Sequence, residues 1–463
     1  MAGIGFVLRK LTRQDDLLGV AQGFAHSALA SSGPWLFTIL SLGGLTVFAA
    51  GSHGLEALAE FRIVIIYNFA FSLVFSGPVL LVVTRSLADR IYQQDVSGAV
   101  GMLAGALALI VATQLPLVIA FYTLYASFSP ATVVAAIANF VLVSALWLVS
   151  VFLSALKDYR AITGAFALGM LAAAGLGLWL ATDWGVPGML TGFNGGLALV
   201  LALLLAKILA EYPYPPTRPF AFVTQFRRYW MLALSGLAYN AAIWVDKWIM
   251  WFAPQAETMA NGLRSYPHYD SAMFLANLSM VPALAAFMVV VETRFFEEYL
   301  KFYRDLQRHA NLRDIRRNHR ELLRTLSDGI RNLAVVQGAL CVFVMLLAPS
   351  LFGWLRIDFL QMGIFRLGVF GSLFHVLLLV LFIMLAYFDF RRTVLGLQLM
   401  FLGCNAVFTW ASMQASFIWY GYGYFLAALV TFCVSYVVAH RLLSELPYQA
   451  FVRANQSVQD ASA

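Results

Sequence analysis

About twelve stretches of roughly 17–30 mostly apolar residues follow one another along this chain, and each approaches or exceeds the ~20 residues a helix needs to cross a bilayer. They occupy so much of the 463 residues that little chain is left for a water-soluble domain. The apolar runs predict helices at 19–49, 62–83, 98–122, 132–156, 161–181, 187–210, 229–253, 271–292, 329–353, 364–387, 392–415 and 419–440. The first run is long enough to tilt, or to break at Pro34, where neighbouring helices or a wet cavity could satisfy the freed backbone groups. Hydrophobic residues make up 61% of the chain and charged residues 11%. Soluble domains carry about 25% charged residues, so a soluble core is a poor account of this composition. The expected class is all-α: a polytopic membrane protein with about twelve transmembrane helices in two six-helix lobes around a central cavity.

The net charge of +7 is distributed as in a membrane protein, in short loops, and not as a nucleic-acid-binding patch. Of the 30 lysines and arginines, 25 fall on one side of the predicted helices, ten of them between Arg294 and Arg331. Four (Arg62, Arg264, Arg356 and Arg366) fall on the other side, and Lys247 lies within a span. This bias places both termini in the cytoplasm and supports an even number of spans. Met1–Asp16 is too charged for a cleavable signal peptide, so the first span is expected to serve as the insertion signal. Cys341, Cys404 and Cys433 all lie in apolar segments and read as packing residues, not as a disulfide or metal framework.

Residues 1–18 read as an interfacial amphipathic helix, with Ile4, Leu8 and Leu11 apolar and Arg9, Lys10 and Arg13 basic. Residues 19–210 form the expected N-lobe and 229–440 the expected C-lobe. The linker at 211–228 carries Pro213, Pro215, Pro216 and Pro219, and 441–463 reads as a cytoplasmic tail. A polar, basic insert at 293–328 carries Phe295, Tyr299, Phe302 and Leu306 at helical spacing. It reads as a helical hairpin lying on anionic lipid, or as a docking surface for a cytoplasmic partner.

Enzyme chemistry leaves little trace. There is no phosphate loop, HExxH, paired CxxC or GxSxG, and the seven histidines are scattered. Asp15–Asp16 is a lone acidic pair. No catalytic residue, metal site or cofactor is expected.

The strongest polar signal is in the seventh span, with Tyr239, Asn240, Asp246 and Lys247. A charge at the bilayer centre costs about 2.5–3.5 kcal/mol on insertion scales, so such groups face a bundle interior or a wet cavity. Asn240 and Lys247 share one helix face, and Tyr239 and Asp246 share the adjacent one. Near the helix end, Lys247 could instead snorkel to the interface. Trp244, Trp248 and Trp251 follow at helical spacing. Aromatic faces suit sugar rings, but Trp248 and Trp251 read first as interface anchors. Ser31-Ser32-Gly33-Pro34 and Ser76-Gly77-Pro78 mark the first two spans; Pro34 and Pro78 are candidate kinks, or the small residues simply allow close packing. His26 reads as a cavity residue or one satisfied by a neighbouring helix, and Tyr67 and Asn68 add polar groups to the second span. Glu292 and Arg294, after the eighth span, read as a gate pair or as an ordinary solvated helix end.

The opening Met1-Ala2-Gly3-Ile4-Gly5-Phe6 with Leu8-Arg9-Lys10-Leu11 resembles the PelG family. So do Ser32-Gly33-Pro34-Trp35, Tyr239-Asn240 with Trp244, Asp246-Lys247-Trp248, and Glu292-Thr293 with Phe295. Val7 departs from the acidic residue expected there. The resemblance implies the polysaccharide-transporter branch of the multidrug/oligosaccharidyl-lipid/polysaccharide (MOP) exporter superfamily. It implies export of the N-acetylgalactosamine-rich Pel polymer across a bacterial inner membrane. It also implies the glycosyltransferase PelF and the membrane proteins PelD and PelE as partners. The resulting expectation is a non-enzymatic exporter whose path is lined by Tyr239, Asn240, Trp244, Asp246 and Lys247, with His26, Ser32, Tyr67 and Asn68 contributing. Its rivals are an alternating-access flippase for a lipid-linked oligosaccharide and a membrane scaffold for a polysaccharide synthase.

Overall fold

The computed structural model describes residues 41, 43–44, 54–156, 159–290, 295–307, 310–355 and 357–448. The expectations that fall on His26, Ser32, Pro34, Glu292, Arg294 and the N-terminal interfacial helix lie outside these residues.

The described chain is built almost wholly of helices, as a bilayer requires of backbone that has no water to bond to. Up to Pro267 they are α1 (Gly54–Tyr92), α2 (Ala99–Ala120), α3 (Pro130–Leu156), α4 (Tyr159–Glu211) and α5 (Gln225–Met250). A small antiparallel pair follows, β1 (Glu257–Thr258) and β2 (Arg264–Ser265), with Glu257 opposite Ser265. Then come α6 (Pro267–Leu278), α7 (Val281–Val290), α8 (Phe296–Gln307), α9 (Leu312–Leu355), α10 (Met362–Tyr387), α11 (Arg391–Ala415) and α12 (Tyr422–Ser444). Among the described residues, nine helices are long and apolar enough to cross a membrane. The chain is a polytopic membrane protein.

Predicted spans five and six appear as the single element α4, with 53 residues. They are nevertheless separate rods. At Gly185 the backbone takes φ 58°, ψ −131°, a conformation that a Cβ would strain, and the chain reverses there. Gly192 then lies against Gly177, and Gly196 against Gly169 and Ala173, as in a tight antiparallel hairpin. Small residues at this seam let two helices approach closely in lipid. Span eight is interrupted at Ser279–Met280, between α6 and α7. Pro78 does not interrupt α1, which continues through it as helix.

By contact, the described residues up to Pro267 make one compact unit and those from His268 onward make another. In the first, α1 packs against α5 and α3, and α3 packs against α4. The predicted linker at 211–228 joins α4 to α5 (predicted span seven), and α5 packs with α1. In the second unit α12 packs on α10 and α11, and α9 packs on α10 and α8.

The basic insert is a packed hairpin. Phe302, Ile315 and Leu322 are buried where α8 meets the first half of α9. The Asn318 amide donates to Asp305, and Lys301 Nζ donates to Glu321 at 2.8 Å. That bond holds the lysine above its usual pKa. His319 Nε2 lies 2.8 Å from the Leu443 carbonyl oxygen, tying the hairpin to α12. Phe295, 1% exposed, packs edge-on to Tyr387 and Phe388.

Candidate functional site

The polar residues of span seven sit on α5, and α5 lies along α1. The close approach comes from two glycines. A Cβ at Gly77 would stand 2.7 Å from the Gly236 carbonyl oxygen, so both positions must lack a side chain for the helices to touch there. One turn on, Asn240 Nδ2 donates to the Leu73 carbonyl oxygen at 3.0 Å and fixes the register.

From that crossing toward β1–β2, the seam is filled by rings. Trp248 stacks on Phe71 with centroids 5.1 Å apart, and Phe71 continues to Phe75. Trp251 stacks on Tyr67 at 4.4 Å, and Phe121 stacks on the same tyrosine at 6.0 Å. The Tyr67 hydroxyl donates to the Arg264 carbonyl oxygen at 2.7 Å. Trp251 is buried, Trp248 is half-buried, and both rings pack on α1. Among the described residues, the Trp248 indole N–H is buried without a hydrogen-bond partner.

Asp246 is fully buried and Lys247 is 7% exposed. Lys247 Nζ lies 3.1 Å from both carboxylate oxygens of Asp246, donates to the Ile243 carbonyl oxygen at 3.1 Å, and stands 5.9 Å from the Trp244 ring centre. The lysine turns back into the protein, so the snorkelling alternative does not hold. Tyr239, Asn240 and Trp244 are half-buried on the same helix.

At the other end of the seam, the Tyr229 hydroxyl donates to Asp89 at 2.6 Å, and Arg85 pairs with Asp89 at 3.2 Å. The Arg85 and Arg228 guanidinium groups stand over the Tyr229 ring at 5.8 and 5.3 Å. Sequence reasoning missed this latch because it used Arg85 and Arg228 only as orientation charges. The signal available was an acid and an arginine one turn apart, opposite a helix-start tyrosine.

Asn68 does not join the seam. Its amide donates to the Ala136 carbonyl oxygen and to Asn139 at 2.9 and 3.0 Å, and its oxygen accepts from the Tyr122 hydroxyl at 2.8 Å. Asn139 passes the chain to Asn194 at 2.8 Å, and Asn194 donates to the Ala135 carbonyl oxygen. Beside it, Gln114 bridges Ser76 and Ser144 at 3.1 and 3.0 Å. These amides cross-link α1, α2, α3 and α4 where lipid offers no alternative partner. A second buried polar group lies beyond Pro267. His375 Nδ1 is 2.8 Å from the Tyr424 hydroxyl oxygen, and that hydroxyl donates to Asn277 at 3.2 Å. Among the described residues, no group of three or more His, Cys, Asp or Glu side chains could hold a metal ion.

The profile of the exopolysaccharide exporter family PelG (EPS-E) matches residues 1–451. The chain belongs to the PelG family. That family is one of exopolysaccharide exporters. A MOP-superfamily transporter from Pyrococcus furiosus is similar at TM-score 0.62 and 17% identity, over 92% of this chain and 95% of that one. An outward-facing multidrug-resistance MATE transporter matches at 0.62 and 14%, over 95% and 98%. An inward-facing MATE transporter matches at 0.57 and 16%, over 90% and 98%. At such identities the likeness is one of fold. No curated protein matches the chain in sequence. For a PelG-family chain, α5 is the candidate site: it carries the buried Asp246–Lys247 pair and half-buried polar groups, and its aromatic ladder packs on α1.

Proposed function

We propose that this protein carries the Pel polymer from cytoplasm to periplasm across a bacterial inner membrane, with both termini cytoplasmic. Tyr239, Asn240, Trp244, Asp246 and Lys247 would contact the polymer, together with the ring faces of Trp248, Phe71 and Tyr67. The observation that carries this reading is the ring ladder beside a buried Asp–Lys pair in a PelG-family chain. Apolar faces of sugar rings stack on aromatic faces, hydroxyls and acetamides bond to the polar groups, and a spare indole donor is in place at Trp248. With the seam zipped, the rings stack on each other, so passage of a sugar chain would require α1 and α5 to part. The partners in this reading are the glycosyltransferase PelF, which supplies polymer, and the membrane proteins PelD and PelE.

No nucleotide-binding loop is present in the sequence, so the growing polymer is the proposed source of the push. Vesicles holding the transporter and the synthase test this. Polymer should reach the opposite compartment without an ion gradient. Strict dependence on a gradient would remove the polymer-push mechanism. Accumulation of a lipid-linked precursor on deletion would point instead to an alternating-access flippase.

A further inference from the structure

Trp251, Tyr67, Phe121 and Tyr125 form one series of stacked rings drawn from three elements. Trp251 and Tyr67 lie 4.4 Å apart at 10°, Tyr67 and Phe121 6.0 Å apart at 24°, and Phe121 and Tyr125 5.5 Å apart at 22°. Phe121–Tyr125 is a single π-helical turn at the end of α2, closed by the Ala126 N–H, which donates to the Phe121 carbonyl oxygen at 3.3 Å. Such turns are rare and recur at functional sites. The apolar span Ala99–Tyr125 ends with this turn, so Tyr125 stands at the outer end of the series in the orientation proposed above.

The turn is held from two sides. On one side, the neighbours Tyr67 and Asn68 meet the neighbours Phe121 and Tyr122. The first ring of each pair stacks, and the Tyr122 hydroxyl donates to Asn68 Oδ1 at 2.8 Å. On the other side, the Ser127 N–H donates to the Asn261 carbonyl oxygen at 3.0 Å. Gly262, in the left-handed region at φ 82°, lies where a Cβ would stand 3.6 Å from the Tyr125 carbonyl oxygen. The backbone of Tyr125 is thus set before a ligand arrives, which lowers the ordering cost of binding.

The series ends on a face. Tyr125 is 58% exposed, and Phe121 is its single ring neighbour among the described residues. Because the two planes are nearly parallel, the other face of Tyr125 points on along the series, away from Phe121. A tyrosine that merely anchors a helix presents its ring to the lipid interface. In this turn the residue directed fully outward is Leu124, at 85% exposed, while Tyr125 is folded back onto Phe121. Polar groups stand on the adjoining hairpin: exposed Arg264 faces Thr258 across β1–β2, and its guanidinium lies 4.7 Å over the Phe252 ring.

We propose that the outer face of Tyr125 is an exit subsite, on which a sugar ring of the polymer stacks as the next member of the series, with Arg264 as a donor to its hydroxyls. This rests on the export path given under Proposed function. The apolar face of a sugar is the flat body that suits such an end face in a chain of an exopolysaccharide-exporter family.

The test uses the full-length transporter in cells that make the polymer, with the photo-reactive amino acid p-benzoylphenylalanine placed singly in place of Tyr125, Leu124 or Trp244. After illumination, polymer should be attached at positions 125 and 244, far less at 124, and at none of them in cells lacking the synthase. Attachment at 244 without attachment at 125, adducts at 125 with lipid only, or equal attachment at 124 and 125 would each overturn the exit subsite and leave the path standing. No attachment at 125 or 244 in cells that secrete polymer would overturn the path as well. A second readout needs no bulky label. Tyr125→Ala should lower secretion about two- to tenfold at unchanged amount and thermal stability, the range of one aromatic stacking contact, and Tyr125→Trp should keep it near wild type. Full secretion by the alanine variant would overturn the subsite too.

Discussion

Asp246 and Lys247 adjoin in sequence, and their side chains close on each other inside the protein. Two charges held this way are stable only as a pair. Removing one partner of a buried pair typically costs about 3–5 kcal/mol, whereas replacing both by apolar groups is often close to neutral. Asp246→Asn should therefore lower thermal stability clearly more than Asp246→Asn combined with Lys247→Met. Melting of the purified protein in detergent measures this. If the pair also touches polymer, the double variant should be stable and yet secrete little. Full secretion by the stable double variant would remove the pair from the path and leave export by this family intact. The same scale shows why the partners of Asn68 were not legible in the sequence. A polar residue within a span announces that it needs partners, but not which ones, and here Tyr122 and Asn139 lie 54 and 71 residues away.

At the scale of elements, the α1–α5 seam depends on Gly77 and Gly236. Gly77→Val adds a branched side chain where even a Cβ meets backbone, so the helices must separate or distort. The expected cost is about 1–3 kcal/mol, with loss of a disulfide engineered between the two helices near Leu73 and Asn240. Unchanged cross-linking in the valine variant would show that the seam is not held by that contact. The helix positions themselves were largely legible, because twenty-residue apolar runs in a bilayer have few alternatives. The start of α9 was not. Its first turns are polar, so the sequence marked an insert followed by a span. Only packing against α8 shows a single rod in which the basic half is the extension of the membrane half.

For the whole molecule, the proposed orientation rests on the basic bias of the loops. A cysteine at Gln93, between α1 and α2, should react with an impermeant thiol reagent only after cells are opened. A cysteine at Thr258, in β1, should react in intact cells. Both sites are exposed, and the native cysteines would first be replaced. Reaction of both from the same side would overturn the orientation. At this scale the family resemblance, drawn from short motifs such as Asp246-Lys247-Trp248, agrees with the profile match over residues 1–451. The fold agrees with the MOP transporters.

By itself the sequence determined that this chain crosses a membrane many times, roughly where, which side bears the positive charge, and which polar residues would be costly there. Those facts follow from transfer energies and helical rise, which act residue by residue. The tertiary structure alone decided which faces meet. It put Trp248 and Trp251 on the rings of α1, turned Lys247 back onto Asp246, drew Asn68 into an amide network, and folded the apolar face of the insert inward so that its arginines face out. Partners far apart in the chain are chosen by packing and by the need to satisfy every buried polar group at once, and no local pattern carries that choice.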